Sequence, residues 1–170
     1  MQMQEISTDT LAVRVRRAER QDLPRLLEMV IALAAHHGDV ATTSTRAIER
    51  DLFGKQACAK ALVAERNGTL SGYALLHSFP QMQWGLRILE INHLFVEDGQ
   101  RGHGIGRLLV AACLSEARRQ ECGQMVVSTH PDNARAKELY LSLGFQPRES
   151  GGARFRLELP SNGALPEGWI

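Results

Sequence analysis

The sequence predicts one α/β (α+β) domain, and three observations carry the prediction. An apolar strand over residues 88–96 runs into a glycine-rich loop, an amphipathic helix and a further apolar strand, a parallel strand–loop–helix–strand unit expected to be right-handed. Asn67-Gly68 stands between two apolar runs, a strong signal for an antiparallel hairpin. The chain of 170 residues is long enough for one domain with a real core and too short for a comfortable two.

The elements follow in order. Residues 12–17 (Ala-Val-Arg-Val-Arg-Arg) alternate apolar and basic side chains, the pattern of a half-buried strand. Asp22 then stands where a helix needs its N-cap, with Pro24 in the first turn. Leu23, Leu26, Leu27, Val30, Ile31 and Ala34 make the apolar stripe of that helix, which ends near Gly38. A second helix is expected from Ser44 or Thr45 to Phe53, with Ala47, Ile48 and Leu52 inward. The polar stretch 36–43 between the two is either a solvated loop or part of a pocket wall. The Asn-Gly hairpin has arms 60–65 and 69–78. Residues 78–85 are expected to form a loop whose Phe79, Met82 and Trp84 cover either a substrate or the core. Beyond the central strand, a helix at about 104–121 returns the chain to a strand at 125–129. Pro131 breaks that strand, Asp132 or Asn133 can cap the next helix, and Gly144 supplies its left-handed stop before Phe145. Residues 145–150 and 154–159 form a closing hairpin around Gly151-Gly152.

Composition and charge exclude several classes. A net charge of +1 gives no push toward nucleic acid or an anionic membrane. No apolar run reaches the length of a membrane span, and the polar stretch 1–10 lacks a signal-peptide core, so a cytoplasmic enzyme is the expected setting. Residues 1–11 read as a flexible lead-in, 12–160 as the single domain and 161–170 as a C-terminal tail. Cys58, Cys113 and Cys122 are odd in number and have no Cys-x-x-Cys spacing, so neither a zinc site nor a disulfide framework is expected. Cys113, in the helix after the glycine loop, reads as core.

That loop carries the strongest chemical signal. Gly102, Gly104 and Gly106 have no Cβ, so a ligand can approach the main chain closely and positive φ is accessible. Leu108, Leu109, Ala112, Leu114 and Ala117 recur at helical spacing directly afterwards. The glycines therefore lie at a helix N-terminus, where free N–H groups and the macrodipole favour phosphate. Arg101 and Arg107 add charge that pairs with phosphate oxygens. A pyrophosphate-bearing ligand and a plain packing turn both fit the glycines taken alone. Two familiar phosphate motifs fail: Gly-x-Gly-x-Gly is not the dinucleotide spacing, and Gly106 is followed by Arg107-Leu108 rather than Lys-Ser/Thr. On the central strand, period-two geometry places Leu89, Ile91, His93 and Phe95 on a core face, with Glu90, Asn92 and Leu94 opposite. Glu90 and Asn92 are polar where a buried sheet prefers apolar residues, which marks them for chemistry.

Arg101-x-x-Gly104-x-Gly106 after an apolar strand resembles the acetyl-CoA pyrophosphate loop of the GNAT superfamily of N-acetyltransferases. Downstream, Asn133-Ala-Arg-Ala136-Lys-Glu-Leu139-Tyr140-Leu-Ser-Leu-Gly144-Phe145 is similar to that superfamily's Asn-x-x-Ala-x-x-Leu-Tyr-x-x-x-Gly-Phe segment. With the flanking elements the resemblance extends over roughly residues 13–159. It implies a GNAT-type mixed, largely antiparallel central sheet of about six or seven strands with helices on both faces, and acetyl-CoA as co-substrate.

The resemblance also assigns roles. Backbone groups of Leu94, Phe95 and Val96 would hold the pantetheine arm, where a bulge splays this strand from the next. Gln100, Arg101, Gly102, His103, Gly104, Ile105, Gly106 and Arg107 would take the pyrophosphate, and Asn133, Arg135 and Ala136 the far side of the coenzyme. Tyr140 would contact the coenzyme near its sulfur and act as general acid. A phenol of pKa about 10 is protonated at neutral pH, and a thiol of about 8.5 leaves poorly unless its charge is relieved. An alkylamine titrates at about 10.4, so some group must accept its proton. Glu90 is the candidate base, and an ion pair with Arg87 or another neighbour is its competing role. Asn92, His36 and His37 are the candidate substrate-binding residues.

The function these readings imply is transfer of an acetyl group from acetyl-CoA to a primary amine of a small molecule, by direct attack through a ternary complex. Asp51-Leu-Phe-Gly and the spacing up to Arg101 are similar to the polyamine and thialysine acetyltransferase branch. That branch carries two acidic residues where this chain has Asn92 and His93, which weakens the case for a polycation. A small primary amine or amino-acid-like acceptor is preferred. A protein or peptide amine is one alternative and a non-catalytic acyl-CoA-binding sensor module is another. A homodimer stays open, and no nucleic acid, membrane or metal is expected as a partner.

Overall fold

The computed structural model describes residues 13–148, together with Phe155 and Leu157. Among these residues a five-stranded sheet runs in the order β1-β2-β3-β4-β5. The strands are β1 Val13–Arg17, β2 Lys60–Arg66, β3 Thr69–Gln81, β4 Leu86–Val96 and β5 Gln124–Val127. The first four pair antiparallel and β5 lies parallel to β4. The helices are α1 Leu23–His36, α2 Thr45–Phe53, α3 Ile105–Arg119 and α4 Ala134–Ser142. The sheet is mixed and largely antiparallel as expected, with five strands where six or seven were anticipated. The lead-in 1–11, the tail 161–170 and most of the closing hairpin lie outside the described residues. Residues 145–148, Phe155 and Leu157, the described parts of that hairpin, form neither strand nor helix. No helix among the described residues is long and apolar enough to cross a membrane.

Local chemistry explains most boundaries. Ser44 caps α2 by accepting the Ala47 N–H at 3.2 Å, and Asn67 (φ 53) with Gly68 (φ 74) makes the left-handed turn between β2 and β3, the geometry that matches strand twist. Two expectations are corrected. Asp22 does not cap α1 with its side chain. Its carboxylate accepts the Glu19 N–H at 2.7 Å and the Arg16 guanidinium at 2.7 and 3.0 Å, so it closes a 3-10 turn and ties β1 to the helix. Residues 78–85 are not all loop either. β3 continues to Gln81 opposite Leu86, and a 3-10 turn at Met82–Trp84 makes the reversal. Pro80 is tolerated because β2 pairs with β3 only as far as Leu76, leaving an edge with no strand beside it among the described residues, where no ladder N–H is required.

Helices cover both faces. Leu26, Met29 and Leu33 of α1 pack on Val63, Tyr73 and Phe95. On the other face Ile105, Leu109 and Cys113 of α3 pack on Leu62, Ala74, Leu76, Leu89 and Ile91. Each of these fully buried Leu and Ile side chains is worth about 1.5–3 kcal/mol. Cys113 is core as expected, and burial pushes its thiol up to about 12. On the same side Glu116, itself buried, receives Arg17 from β1, Lys60 from β2 and Arg119 from its own helix, so one carboxylate ties α3 to two strands.

The feature that positions the site is a bulge in β4. Leu76 faces Ile91 while Leu75 faces His93, so Asn92 is the extra residue. An inserted residue inverts the alternation of everything after it. Leu89 and Ile91 belong to the α3 layer and Phe95 to the α1 layer, while Leu94 and Val96 return to the α3 side. The expected period-two separation therefore holds only to Ile91, and His93 and Phe95 lie on the face opposite Leu89. β5 pairs with β4 only from Ile88 to Ile91. Past the bulge, that edge of β4 has no strand beside it among the described residues.

Candidate active site

The glycine loop is built to present amides. Gly102 and Gly104 sit at φ 86 and 78, a region that a Cβ would strain. The α3 ladder begins with the Leu108 N–H donating to the Gly104 carbonyl at 3.1 Å, so the amides of Ile105, Gly106 and Arg107 have no partner within the helix and lie at its positive end. Arg101 stitches the loop to the end of β4, its Nε donating to the Val96 carbonyl at 2.9 Å while the guanidinium pairs with Asp98 at 2.6 Å. Arg107 reaches across to α4 and donates to the Ser142 hydroxyl at 2.8 Å. A Cβ on Gly106 would meet Leu139 at 3.4 Å, so the two helices approach closely here. Asn133 caps α4 by accepting the Ala136 N–H at 3.0 Å.

These groups enclose a cavity of about 410 Å³. Leu94–Val96 of the unpaired β4 edge form one wall. Gln100, Arg101, Gly102, Gly104, Ile105, Gly106 and Arg107 form the second, and Asn133, Arg135, Ala136 and Tyr140 of α4 the third. Every residue expected to hold the coenzyme lines this cavity except His103, whose Nδ1 sits 3.2 Å from the Gln100 carbonyl. His36 and His37, at the end of α1, also line it. Leu33 and Leu139 were missed, although Leu139 lies inside the motif that identified Tyr140. Among the described residues three arginines and no carboxylate line the cavity. Free amides, arginines and the absence of lining acids fit a pyrophosphate-bearing coenzyme.

Tyr140 is 9% exposed and meets Phe145 edge-on at 5.6 Å. Burial first, then the nearby Cys113 thiol, pushes its phenol up to about 12. It therefore keeps its proton throughout the neutral range.

A second cavity, of about 430 Å³, lies beneath α1 and α2 and against β3 and β4. Asn92 lines it, together with Asp51, Tyr73 and His77. The three expected substrate-binding residues are thus divided, with His36 and His37 in the first cavity and Asn92 in the second. Glu90 lines neither. Its carboxylate is 3.6 Å from His77 Nε2, so its basic neighbour is His77 rather than Arg87. Tyr73 and His77 were not singled out from the sequence, although their period-two spacing in an apolar strand was a usable signal. The Tyr73 hydroxyl and His93 Nδ1 are 2.9 Å apart. Burial raises the phenol's pKa, and burial followed by the charge of His37 lowers that of His93, so both are neutral partners at pH 7.

The profile of the acetyltransferase (GNAT) family matches residues 25–145. Thialysine N-epsilon-acetyltransferase of Bos taurus is 28% identical over 144 residues, covering 79% of this chain and 84% of that protein. L-methionine sulfoximine/L-methionine sulfone acetyltransferase of Salmonella typhimurium is 36% identical over 86 residues, 49% of this chain and 48% of that one. The solved structure of ribosomal-protein-alanine N-acetyltransferase from Brucella melitensis biovar Abortus 2308 shares the fold. It has a TM-score of 0.72 at 20% identity, over 86% of this chain and all of that one.

Proposed function

This chain belongs to the acetyltransferase (GNAT) family, and from that premise we propose that it moves an acetyl group from acetyl-CoA to a primary amine of a small molecule, by direct attack in a ternary complex. The observation that carries the proposal is one cavity in which the amides at the start of α3, Arg101, Arg107 and Arg135 share walls with the buried, protonated Tyr140. The two curated relatives, named for acetylation of thialysine and of methionine derivatives, support a small amine over a polymer.

Acetyl-CoA supplies the acyl thioester and a thiol leaving group. The α3 amides and the arginines bind the phosphates, and the open edge of Leu94–Val96 offers main-chain donors and acceptors to the extended arm. Leu33, Phe95 and Leu139 give the cavity an apolar lining that excludes water. The Tyr140 O–H donates its proton to the departing sulfur. Glu90, which lines neither cavity, accepts the proton of the incoming ammonium through water, while His36 and His37 line the approach. A cytoplasmic location belongs to the same proposal. The amine is the partner it requires, and association into a homodimer is compatible with it.

The test is thiol release from acetyl-CoA with pools of polyamines, amino acids, aminoglycosides and short peptides, comparing wild type with Tyr140→Phe. Turnover with at least one amine is expected, with kcat in the variant lowered about 10²-fold or more and acetyl-CoA affinity little changed. Binding of acetyl-CoA without thiol release from any pool would replace the enzyme by a sensor module.

A further inference from the structure

The two cavities differ in charge. The first is lined by arginines and by no carboxylate, whereas no lysine or arginine lines the second among the described residues. Leu26, Val30, Ile48, Leu52 and Leu75 make the walls of the second apolar, and its polar groups include Asn92, His77 and Asp51. Glu90 adds a negative charge 3.6 Å behind His77. Arg50, next in sequence to Asp51, is already held by that carboxylate in two contacts of 2.7 and 3.0 Å. Among the described residues the lining therefore offers an incoming anion no lysine or arginine, and its hydrogen-bonding groups are Thr43, Tyr73, His77 and Asn92.

The same two elements serve both cavities. α1 gives Leu33, His36 and His37 to the first, and Val30 and Leu26, one and two turns earlier, to the second. β4 gives Leu94–Val96 to the first and the bulged Asn92 to the second. The two cavities thus lie beside the same helix and the same strand, and about 430 Å³ lies within the range of small-molecule sites.

Resting on the acetyl-transfer reading above, we infer that the second cavity holds the body of the acceptor and selects a primary amine on an apolar, carboxylate-free body over the corresponding α-amino acid. The carboxylate of an amino acid entering here would lose its water and find no cation, with Asp51 and Glu90 nearby. An unpaired charge in an apolar pocket is strongly penalised. An amine meets the Asp51 carboxylate and, among the described residues, no lysine or arginine. The preference runs opposite to the amino-acid names of the curated relatives, so it separates this chain from them.

The inference is tested with matched pairs, each an α-amino acid and its decarboxylated amine: phenylalanine with phenethylamine, lysine with cadaverine, methionine with 3-(methylthio)propylamine. Thiol release by wild type should give kcat/KM about 10-fold or more higher for the amine of each active pair. Ala59→Leu at the half-exposed rim and Leu52→Phe on α2 fill the cavity from two sides. Each should raise the KM of the preferred amine about 10-fold and leave the calorimetric Kd of acetyl-CoA within about 2-fold. Amino acids turned over as well as their amines, or an amine KM that neither filling variant moves, overturns the inference and leaves acetyl transfer standing. If acetyl-CoA binds and no amine or amino acid releases thiol, the acetyl-transfer reading fails and takes this inference with it.

Discussion

Replacing Glu116 by glutamine tests how α3, the helix whose N-terminus carries the amide cradle, is fixed to the sheet. The Glu116 side chain is 7% exposed and takes Lys60 at 2.8 Å and Arg17 at 3.0 Å, with Arg119 and Gln120 completing its shell. Burial alone would push this carboxyl up. Hydrogen bonds from Arg119 and Lys60, with the charges of Lys60 and Arg17, outweigh it and bring the carboxyl down to about 2. Measured from the ordinary glutamate value of about 4.3, that displacement contributes about 3 kcal/mol to folding. Because the folded value lies below the unfolded one, the contribution is complete above about pH 5 and is lost as pH falls from about 4.3 through about 2. Glutamine copies the shape and neutrality of the protonated acid. Glu116→Gln should therefore cost about 3 kcal/mol at pH 7, roughly 6–12 °C in Tm, and the gap to wild type should close as pH falls toward 2. Urea unfolding followed by circular dichroism at a series of pH values reads both. A gap below about 1 kcal/mol at pH 7, or one that stays constant down to about pH 3, refutes the reasoning. It would mean that Arg17, Lys60 and Arg119, which are 39–56% exposed, are satisfied equally well by water.

Two further predictions concern the walls of the first cavity. A Cβ on Gly72 would stand 2.6 Å from the Phe95 carbonyl oxygen, so Gly72→Ala must push β4 aside. A loss of about 1–3 kcal/mol in urea unfolding and a weaker acetyl-CoA Kd by calorimetry are expected together, and loss of stability with an unchanged Kd would separate the strand from the site. Asn133→Ala removes the cap of α4, at a cost of about 1 kcal/mol. It should raise the KM for acetyl-CoA more than it lowers kcat, and a selective fall in kcat would instead mean that Tyr140 has moved.

How much was legible depended on the range of the interaction. The Asn67-Gly68 turn and the left-handed Gly144 (φ 88) are decided within four residues and stand where the sequence places them, as does the α4 cap, which falls on Asn133 of the two candidates. Asp22 shows the opposite case. Its neighbours in sequence suggest a helix cap, but Arg16 on β1 competes for the same carboxylate, and no local pattern reports that competition. β3 beyond Ser78 reads as loop because Pro80 and Gly85 punctuate it, yet pairing with Leu86–Leu89 extends the strand. The bulge in β4 was implied by the resemblance alone, and its place at Asn92 was not. A run of polar and apolar residues cannot reveal one extra residue, since the insertion exists only in the register with β3.

The same distinction explains why the residues proposed to hold the coenzyme were easier to read than those proposed to hold the acceptor. A phosphate is recognised by main-chain amides, and amides can be exposed in this way only by glycines at fixed offsets from a helix start, which leaves a mark in the sequence. An acceptor pocket made from α1, α2, β3 and β4 imposes no spacing, because each element contributes one or two side chains at positions its own packing selects. The bulge links the two halves. By shifting the register after Ile91 it turns Leu94 and Val96 toward the α3 layer and sends Phe95 to the α1 layer, while Asn92 itself is carried into the second cavity. A straight β4 would continue its alternation past Ile91 and reverse the faces of all three residues. One inserted residue thus lets a single strand line one cavity whose described walls carry three arginines and a second whose described walls carry none.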